Sequence, residues 1–423
     1  MSKNPVKWVP TVYFAMGLPF VTLSMVSVLA FSDLGVSNTL IAFWTSLIML
    51  PWTLKPLWSS FLEMFKTKKY FVVATEIVTA VAFGLIALSL SLPSFFAYAI
   101  ALMAVVALSG ATHDIATDGV YMSELTKEDQ AKYIGWQGAF YNLAKVLSTG
   151  GLVYLAGVLK DNMGAQYAWM IIMGLCGLVM LVLSLYHVAM LPSGGNTTSN
   201  VTSTKEAMQE LVVVIKSFFE KKYIWLYLLF IILYRFAEGF VIKIVPLFLK
   251  APVEDGGLGL SVQEIGMVYG TFGAAAFILG SFLAGYYISR WGLKKTLFSL
   301  CCIFNIPFAV YFVLSAYQPD NLLVIGSAIV FEYFGYGFGF VGLILFMMQQ
   351  VAPGKYQMSH YAFASGIMNL GVMLPGMISG WMSDVLGYQK FFAVALALAI
   401  PAFIITWFIP FTHDDEKKAI EEK

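Results

Sequence analysis

Ala111-Thr-His-Asp-Ile-Ala-Thr-Asp-Gly119 is a polar stretch that closes the almost purely apolar run 95–109. On an α-helix, Asp114 and Asp118 lie one turn apart on the same face, and His113 points about 100° away from Asp114. A charged side chain at membrane depth costs about 2.5–3.5 kcal/mol on insertion scales, so such residues face a bundle interior or water. The stretch therefore predicts a membrane helix with one polar face turned toward a protein interior.

The composition of the whole chain is that of a membrane protein. Of its 423 residues, 59% are hydrophobic and 12% are charged, whereas soluble domains carry about 25% charged residues. The net charge of +1 gives no basic footprint for nucleic acid. The three cysteines lie in apolar segments without disulfide or metal spacing. We therefore expect a lipid bilayer as the surroundings, with no nucleic-acid partner, no cofactor and no metal site.

Twelve apolar segments are each long enough to cross about 30 Å of hydrocarbon as a helix. They are 9–31, 39–62, 69–91, 94–121, 133–158, 166–191, 223–249, 262–289, 296–317, 321–350, 359–383 and 388–410. Four of the 25 Lys and Arg residues lie deep inside these spans, three lie in or next to the outer loops, and eighteen lie on or next to the inner side. Such an asymmetry predicts a multi-pass protein of the inner (cytoplasmic) membrane with both termini in the cytoplasm.

Four cations lie away from the ends of the predicted spans: Lys55, Lys145, Arg235 and Lys243. Lys145 is too deep to reach the interface along its four-carbon stem, so we expect it to pair with a carboxylate, with Asp114 as the candidate. Lys55 either snorkels to the interface or lines a cavity. Glu76 lies only a couple of turns from the membrane surface, and we interpret it as an interfacial carboxylate.

The seventh span contains three ionisable side chains within nine residues. Arg235 and Glu238 are three apart and can touch on one helix face near mid-bilayer, either as a structural ion pair or as part of a site. The tenth span adds Glu332 at the start of the glycine-rich run 332–339. Glu332 has no cation near it in sequence, so burial would favour its protonated form.

A polar segment divides the twelve spans into six and six. The sequence predicts an N-terminal bundle at 1–192, a cytoplasmic linker at 193–222, a C-terminal bundle at 223–411 and a tail at 412–423. Apolar and charged residues alternate at helical spacing over 204–222, which predicts an amphipathic helix on the inner membrane face. Echoes between the halves, such as Asn142-Leu143 with Asn369-Leu370, suggest two parallel six-helix repeats of the kind found in alternating-access transporters.

The loop from Gly285 to Lys295 resembles the Gly-x-x-x-Asp-Arg-x-Gly-x-basic-basic motif of the major facilitator superfamily. Ser289 stands in the place of the Asp, followed by Arg290 and Gly292, and Glu63 stands in that place after the second span. The resemblance implies an all-α fold of twelve transmembrane helices in two pseudo-symmetric six-helix bundles. It also implies a gating role for Gly285, Ser289, Arg290, Gly292 and Glu63.

Within that superfamily the chain is most similar to the muropeptide (AmpG-type) permeases and the related acetyl-coenzyme A transporters. The motifs are Tyr13-Phe-x-x-Gly-Leu-Pro19, Leu50-Pro-x-Thr-x-Lys-x-Leu-Trp58, 111–118, Tyr234-Arg-x-x-Glu238 and 332–339. The sequence departs from that branch at His113, where Gln is usual, and at Glu238, where Asp is usual. The resemblance implies proton-driven import of amino-sugar-containing cell-wall fragments. Another saccharide, an acidic sugar such as sialic acid, and export are the alternatives.

We predict two sets of site residues for such a transporter, which we expect to act as a monomer on a small solute and H⁺. The proton-coupling candidates are Glu238, Asp114, Glu332, Asp118 and His113. The candidates for binding substrate or pairing charges are Arg235, Lys145, Lys243, Lys55, Asn142 and Asn369. An enzyme is disfavoured because the four histidines are scattered and no His-Glu-x-x-His or Gly-x-Ser-x-Gly stretch occurs. A non-transporting scaffold or receptor is the other rival.

Overall fold

The computed structural model describes residues 4–63, 67–125, 127–194, 204–354 and 356–412. Within these ranges the chain is built from helices and contains no β-strand. It forms two compact units, Met1–Leu211 with Ser261–Thr271, and Val212–Leu260 with Phe272–Lys423. The all-α membrane fold is thereby confirmed, whereas the domain boundaries at 192 and 223 stay predictions.

Six long helices of the first unit lie within the described residues. They are α1 Pro5–Asp33, α2 Asn38–Trp58, α3 Lys68–Ser89, α4 Phe95–Glu124, α5 Trp136–Met163 and α6 Ala165–Met190. Gly164 joins α5 to α6 with a φ of +85°, a conformation that favours glycine. Trp8, Val9 and Val12 of α1 pack with Ala116 and Val120 of α4 in a buried core near the start of the chain. This core holds the polar stretch of α4 against α1.

The remaining helices follow the linker. They are α7 Thr204–Phe219, α8 Ile224–Tyr234, α9 Phe236–Lys250, α10 Val262–Ile288, α11 Leu293–Tyr317, α12 Leu322–Val351, α13 Ser359–Leu386 and α14 Tyr388–Phe408. Eleven continuous helices in the described ranges are long and apolar enough to cross a membrane. The seventh predicted span, 223–249, is not among these eleven, because it is interrupted at Arg235, whose φ of −105° and ψ of 4° separate α8 from α9.

Several of the membrane helices are locally irregular. Wide π-helical turns interrupt α1, α5, α10 and α12 at Thr22–Val26, Leu147–Leu152, Gly266–Phe272 and Met347–Val351. In α2, the helix breaks between Leu54 and Pro56, which leaves Lys55 at the junction. Such turns re-aim side chains and are frequent at functional sites. In α2, the break lies at one of the predicted site residues.

Helix α7 begins at Thr204, as the amphipathic pattern predicted, but part of its apolar face is covered by protein. The Phe218 side chain is fully buried, and its ring lies 5.6 Å from that of Phe363 on α13. Beyond α7, the Lys221 Nζ donates to the carbonyl oxygens of Val351 and Pro353, each at 2.6 Å. Partial burial lowers the pKa of Lys221 to about 8. The end of the linker is therefore anchored to the second unit.

Gly239 marks a close approach between α9 and α13. A Cβ atom added at Gly239 would contact Pro375 and would lie 2.7 Å from the carbonyl oxygen of Val372. We therefore expect Gly239→Ala to lower the free energy of unfolding by about 1–3 kcal/mol, the usual cost of overpacking. Thermal unfolding in detergent measures the change.

Gly174→Ala on α6 is the matched control, because a Cβ there meets no atom within 4 Å. In this variant, alanine should raise stability through its higher helix propensity. Equal melting temperatures for the two variants would contradict the close approach at Gly239.

Candidate functional site: buried ionisable groups in each unit

Asp114 lies on α4 inside the first unit and is 8% exposed. Its Oδ2 accepts a hydrogen bond from the Trp52 Nε1 at 3.0 Å and lies 3.6 Å from the Lys55 Nζ. The sequence favoured Lys145 as the partner of Asp114, but the structure gives this ion pair to Lys55, at the break in α2. The break places the ammonium group beside the carboxylate, and the Lys55 side chain remains 26% exposed.

Asp118 lies one turn further along α4. Its Oδ1 accepts a hydrogen bond from the Tyr13 hydroxyl group at 2.9 Å, so the two carboxylates are held by different helices, α2 and α1. The second carboxylate oxygen of Asp114, Oδ1, is buried and makes no hydrogen bond with the described residues. Asp114 therefore has one satisfied oxygen and one that is open to a proton.

The prediction for Glu76 was wrong. Its side chain is fully buried rather than interfacial. Its Oε1 lies 3.1 Å from the His113 Nε2 and 2.7 Å from the His187 Nδ1. The Thr117 hydroxyl group lies 3.4 Å from the His113 Nδ1. Helices α3, α4 and α6 thus bring one carboxylate and two imidazoles together, on the side of α4 next to the face that carries Asp114.

In the second unit, Glu238 is 2% exposed and tightly bound. The Arg235 Nε donates to its Oε2 at 2.6 Å, and the Nη2 donates to its Oε1 at 2.5 Å. The Tyr336 hydroxyl group also donates to Oε1, at 2.8 Å. The guanidinium group lies 5.0 Å from the ring centroid of Phe340. The predicted contact between Arg235 and Glu238 is confirmed as a bidentate, charge-assisted pair.

Glu332 and Lys243 are also buried in the second unit, at 3% and 4% exposure. The Tyr311 hydroxyl group donates to the Glu332 Oε2 at 2.7 Å. Tyrosine hydroxyl groups from α11 and α12 therefore bind the buried carboxylates of Glu332 and Glu238.

The other predicted residues are less informative. Gly292 joins α10 to α11 with a φ of +79°, and the Arg290 guanidinium lies 5.9 Å from the Trp291 ring centroid. Gly285 is exposed within a helix, and the side chains of Ser289 and Glu63 lie outside the described part of the chain. The residues that remain half-buried are Asn369, Lys145 and Asn142, whose Nδ2 donates to the Gly138 carbonyl oxygen of the same helix.

Sequence reasoning missed Glu76, His187 and the aromatic donors Trp52, Tyr13, Tyr311 and Tyr336. The partner of each of these residues lies on another helix, so spacing within one helix gave no signal. Among the described residues, no group of three or more His, Cys, Asp or Glu side chains has a geometry that could hold a metal ion. The buried carboxylates are held in ion pairs and hydrogen bonds.

The chain is similar in sequence to known membrane transporters. The family model of the Major Facilitator Superfamily matches residues 11–356 and 236–423. The chain is 25% identical over 397 residues to the anhydromuropeptide permease of Escherichia coli (strain K12), across 93% of this chain and 77% of that protein.

Solved structures share the fold at low sequence identity. A D-xylose-proton symporter is similar with a TM-score of 0.73 and 11% identity, over 96% of this chain and 98% of the other. A bacterial homologue of the human lysosomal transporter Spinster, inward-facing and occupied, gives a TM-score of 0.72 and 14% identity, over 96% and 97% of the two chains. With its family model matched over most of its length and its fold shared with these transporters, this chain belongs to the Major Facilitator Superfamily of membrane transporters.

Proposed function

We propose that this transporter imports an amino-sugar-containing saccharide, similar to a muropeptide, in symport with protons. The observation that carries the proposal is the similarity to the anhydromuropeptide permease, which extends over 93% of the chain. The positive-inside pattern of the sequence supports insertion in the inner membrane with both termini in the cytoplasm.

The environment of Asp114 supports proton coupling. An ion pair favours the ionised carboxylate, whereas a dry environment without a cation favours the protonated one. Lys55 lies at a helix break, so a small movement of α2 would remove the cation from Asp114. The open Oδ1 would then accept the proton. Alternating access supplies such movements in this class of transporter.

The exposed part of Lys55 supports an acidic solute. Because 26% of the Lys55 side chain is accessible, its ammonium group can contact first Asp114 and then a solute carboxylate. The lactyl carboxylate of a muramyl sugar fits this requirement. The buried Arg235 is already bound to Glu238, so it is a poorer candidate for a solute contact.

Uptake into proteoliposomes tests the proposal. The solutes are an anhydro-muropeptide disaccharide, an N-acetylglucosamine disaccharide, sialic acid, D-xylose and acetyl-coenzyme A. We expect the amino-sugar disaccharides to accumulate when the outside is acidic, and a protonophore to abolish the accumulation. Protein-free liposomes are the control.

Accumulation of sialic acid or D-xylose alone would replace the proposed solute with another sugar. Proton-driven extrusion of the disaccharides would contradict import. Failure of every solute to move under either gradient would contradict transport of these sugars.

A further inference from the structure

In the buried cluster of Glu76, His113 and His187, the hydrogen-bond partners indicate which ring nitrogens carry a proton. Both imidazoles contact the same carboxylate oxygen, Oε1, at 3.1 and 2.7 Å. An ionised carboxylate has no proton to donate, so the His113 Nε2 and the His187 Nδ1 each carry the hydrogen of their contact. The second ring nitrogen of each histidine decides whether that histidine is charged.

The Thr11 hydroxyl group of α1 settles the second nitrogen of His187. Its Oγ1 lies 2.9 Å from the His187 Nε2 and donates to the Trp8 carbonyl oxygen at 3.1 Å. A hydroxyl group has one hydrogen, and a carbonyl oxygen can only accept. Both contacts are made together only when Nε2 donates to Thr11, which makes His187 an imidazolium. The Thr117 hydroxyl group lies 3.4 Å from the His113 Nδ1 and can donate to it, a contact that a neutral His113 accepts.

Charge balance leads to the same assignment. With one imidazolium and one carboxylate, the fully buried cluster has no net charge. Without that proton it is an uncompensated anion, and buried charges in proteins are paired. The Glu76 Oε2 is buried without a hydrogen-bond partner among the described residues, unlike the oxygens of a fully satisfied structural pair.

The cluster is connected to the acidic face of α4. His113 and Thr117 are adjacent in sequence to Asp114 and Asp118, so both pairs move with α4. Thr11 is two residues from Tyr13, which binds Asp118. Separation of α1 from α4 would therefore disturb the cluster and the carboxylate pair together. The other titratable groups at this end of these helices and of α5 include Asp114, Asp118, Tyr13, Lys68, Tyr121, Lys145 and Tyr186, whose ring centroid lies 5.7 Å from that of His187. Lys7, Lys69, Tyr70 and Glu124 lie at the ends of α1, α3 and α4.

We propose that Glu76, His113 and His187 form a proton-binding site. It holds one proton, as a His187 imidazolium, while α1, α3, α4 and α6 are packed together, and it releases that proton when α1 and α4 separate. The site adds a second proton-carrying element to the coupling by Asp114. This last step rests on the proposed function, whereas the protonation of His187 does not.

Nitrogen NMR of the ¹⁵N-histidine-labelled protein in nanodiscs tests the protonation directly. The chain has only four histidines, and His360→Gln and His413→Gln assign two of them. At neutral pH we expect both ring nitrogens of one remaining histidine to be protonated and the other histidine to be neutral. If each of the two remaining histidines had one unprotonated ring nitrogen, the site would be overturned, and this measurement needs neither a substrate nor a change in the cluster itself.

Glu76→Gln tests the role of the carboxylate, with the exposed Glu254→Gln as its matched control. The amide cannot balance the imidazolium, so we expect the doubly protonated signal to disappear only in Glu76→Gln. Its persistence there would overturn the role of Glu76. In proteoliposomes, Glu76→Gln should also take up fewer protons per solute than Glu254→Gln.

The nitrogen spectra and the proton count distinguish failure of the proton-binding site from failure of the proposed function. An unchanged proton count with a confirmed imidazolium would overturn the coupling step alone. If no amino sugar is transported, the nitrogen spectra still decide whether the proton-binding site exists, and the proposed function fails by itself.

Discussion

Asp114→Asn is expected to abolish proton-driven accumulation of the solute while it leaves counterflow exchange intact. Asparagine can still accept the hydrogen bond from Trp52, but it can neither pair with Lys55 nor take up a proton. A gradient of one pH unit supports at most about tenfold accumulation per coupled proton, because it supplies about 1.36 kcal/mol. We expect that ratio in the wild type and no accumulation in the variant, as measured by uptake into proteoliposomes.

Asp255→Asn is the matched control, because Asp255 is exposed in the connection between α9 and α10. Equal accumulation by the two variants would contradict a coupling role for Asp114. Loss of counterflow in Asp114→Asn would show instead that the carboxylate contacts the solute.

The pair of Arg235 and Glu238 is expected to give the largest effect on stability. Removal of one member leaves the other as an uncompensated buried charge, at a cost of about 3–5 kcal/mol. Arg235→Met and Glu238→Gln should each destabilise the protein by more than the double variant does. Thermal unfolding of the four proteins in detergent gives the coupling energy as a double-mutant cycle.

The exposed pair of Lys216 and Glu220 is the control for this cycle. It has the same charges at a distance of 3.8 Å, at the end of α7. Pairs of this kind contribute about 0–1 kcal/mol, so Lys216→Met should leave the melting temperature almost unchanged. Additive losses for Arg235→Met and Glu238→Gln would contradict the bidentate pair.

Local patterns were sufficient to predict most of the helices, one shared polar face and one polar contact. Hydropathy located the spans because each must satisfy its backbone inside the bilayer. The spacing of Asp114 and Asp118 predicted a shared helix face, and the spacing of Arg235 and Glu238 predicted a contact within the seventh span. These predictions needed only the geometry of a single helix.

Contacts between helices could not be predicted from one sequence. His187 is 111 residues from Glu76 in the chain, and their contact depends on the rotation and tilt of α3 and α6. The choice of Lys55 over Lys145 as the partner of Asp114 depends on the break in α2. Apolar helices pack through many small contacts, so the pattern of one span does not specify which neighbouring helix its polar side chains contact.

The interruption of the seventh span also depends on contacts between helices. Composition predicted one continuous helix over 223–249, whereas the structure ends α8 at Tyr234 and begins α9 at Phe236. Arg235 takes a non-helical conformation at the junction while its guanidinium binds Glu238 and contacts the Phe340 ring. Its partners are therefore provided by two different helices, one of them more than 100 residues away.

Proton movement on addition of solute tests the central claim most directly. A pH-sensitive dye outside proteoliposomes records whether protons enter with an amino-sugar disaccharide when no gradient is imposed. The wild type should make the outside more alkaline, and Asp114→Asn, Glu238→Gln and Glu332→Gln should each reduce or abolish the signal. Solute entry without any dye response, or a full response in all three variants, would contradict coupling through these buried carboxylates.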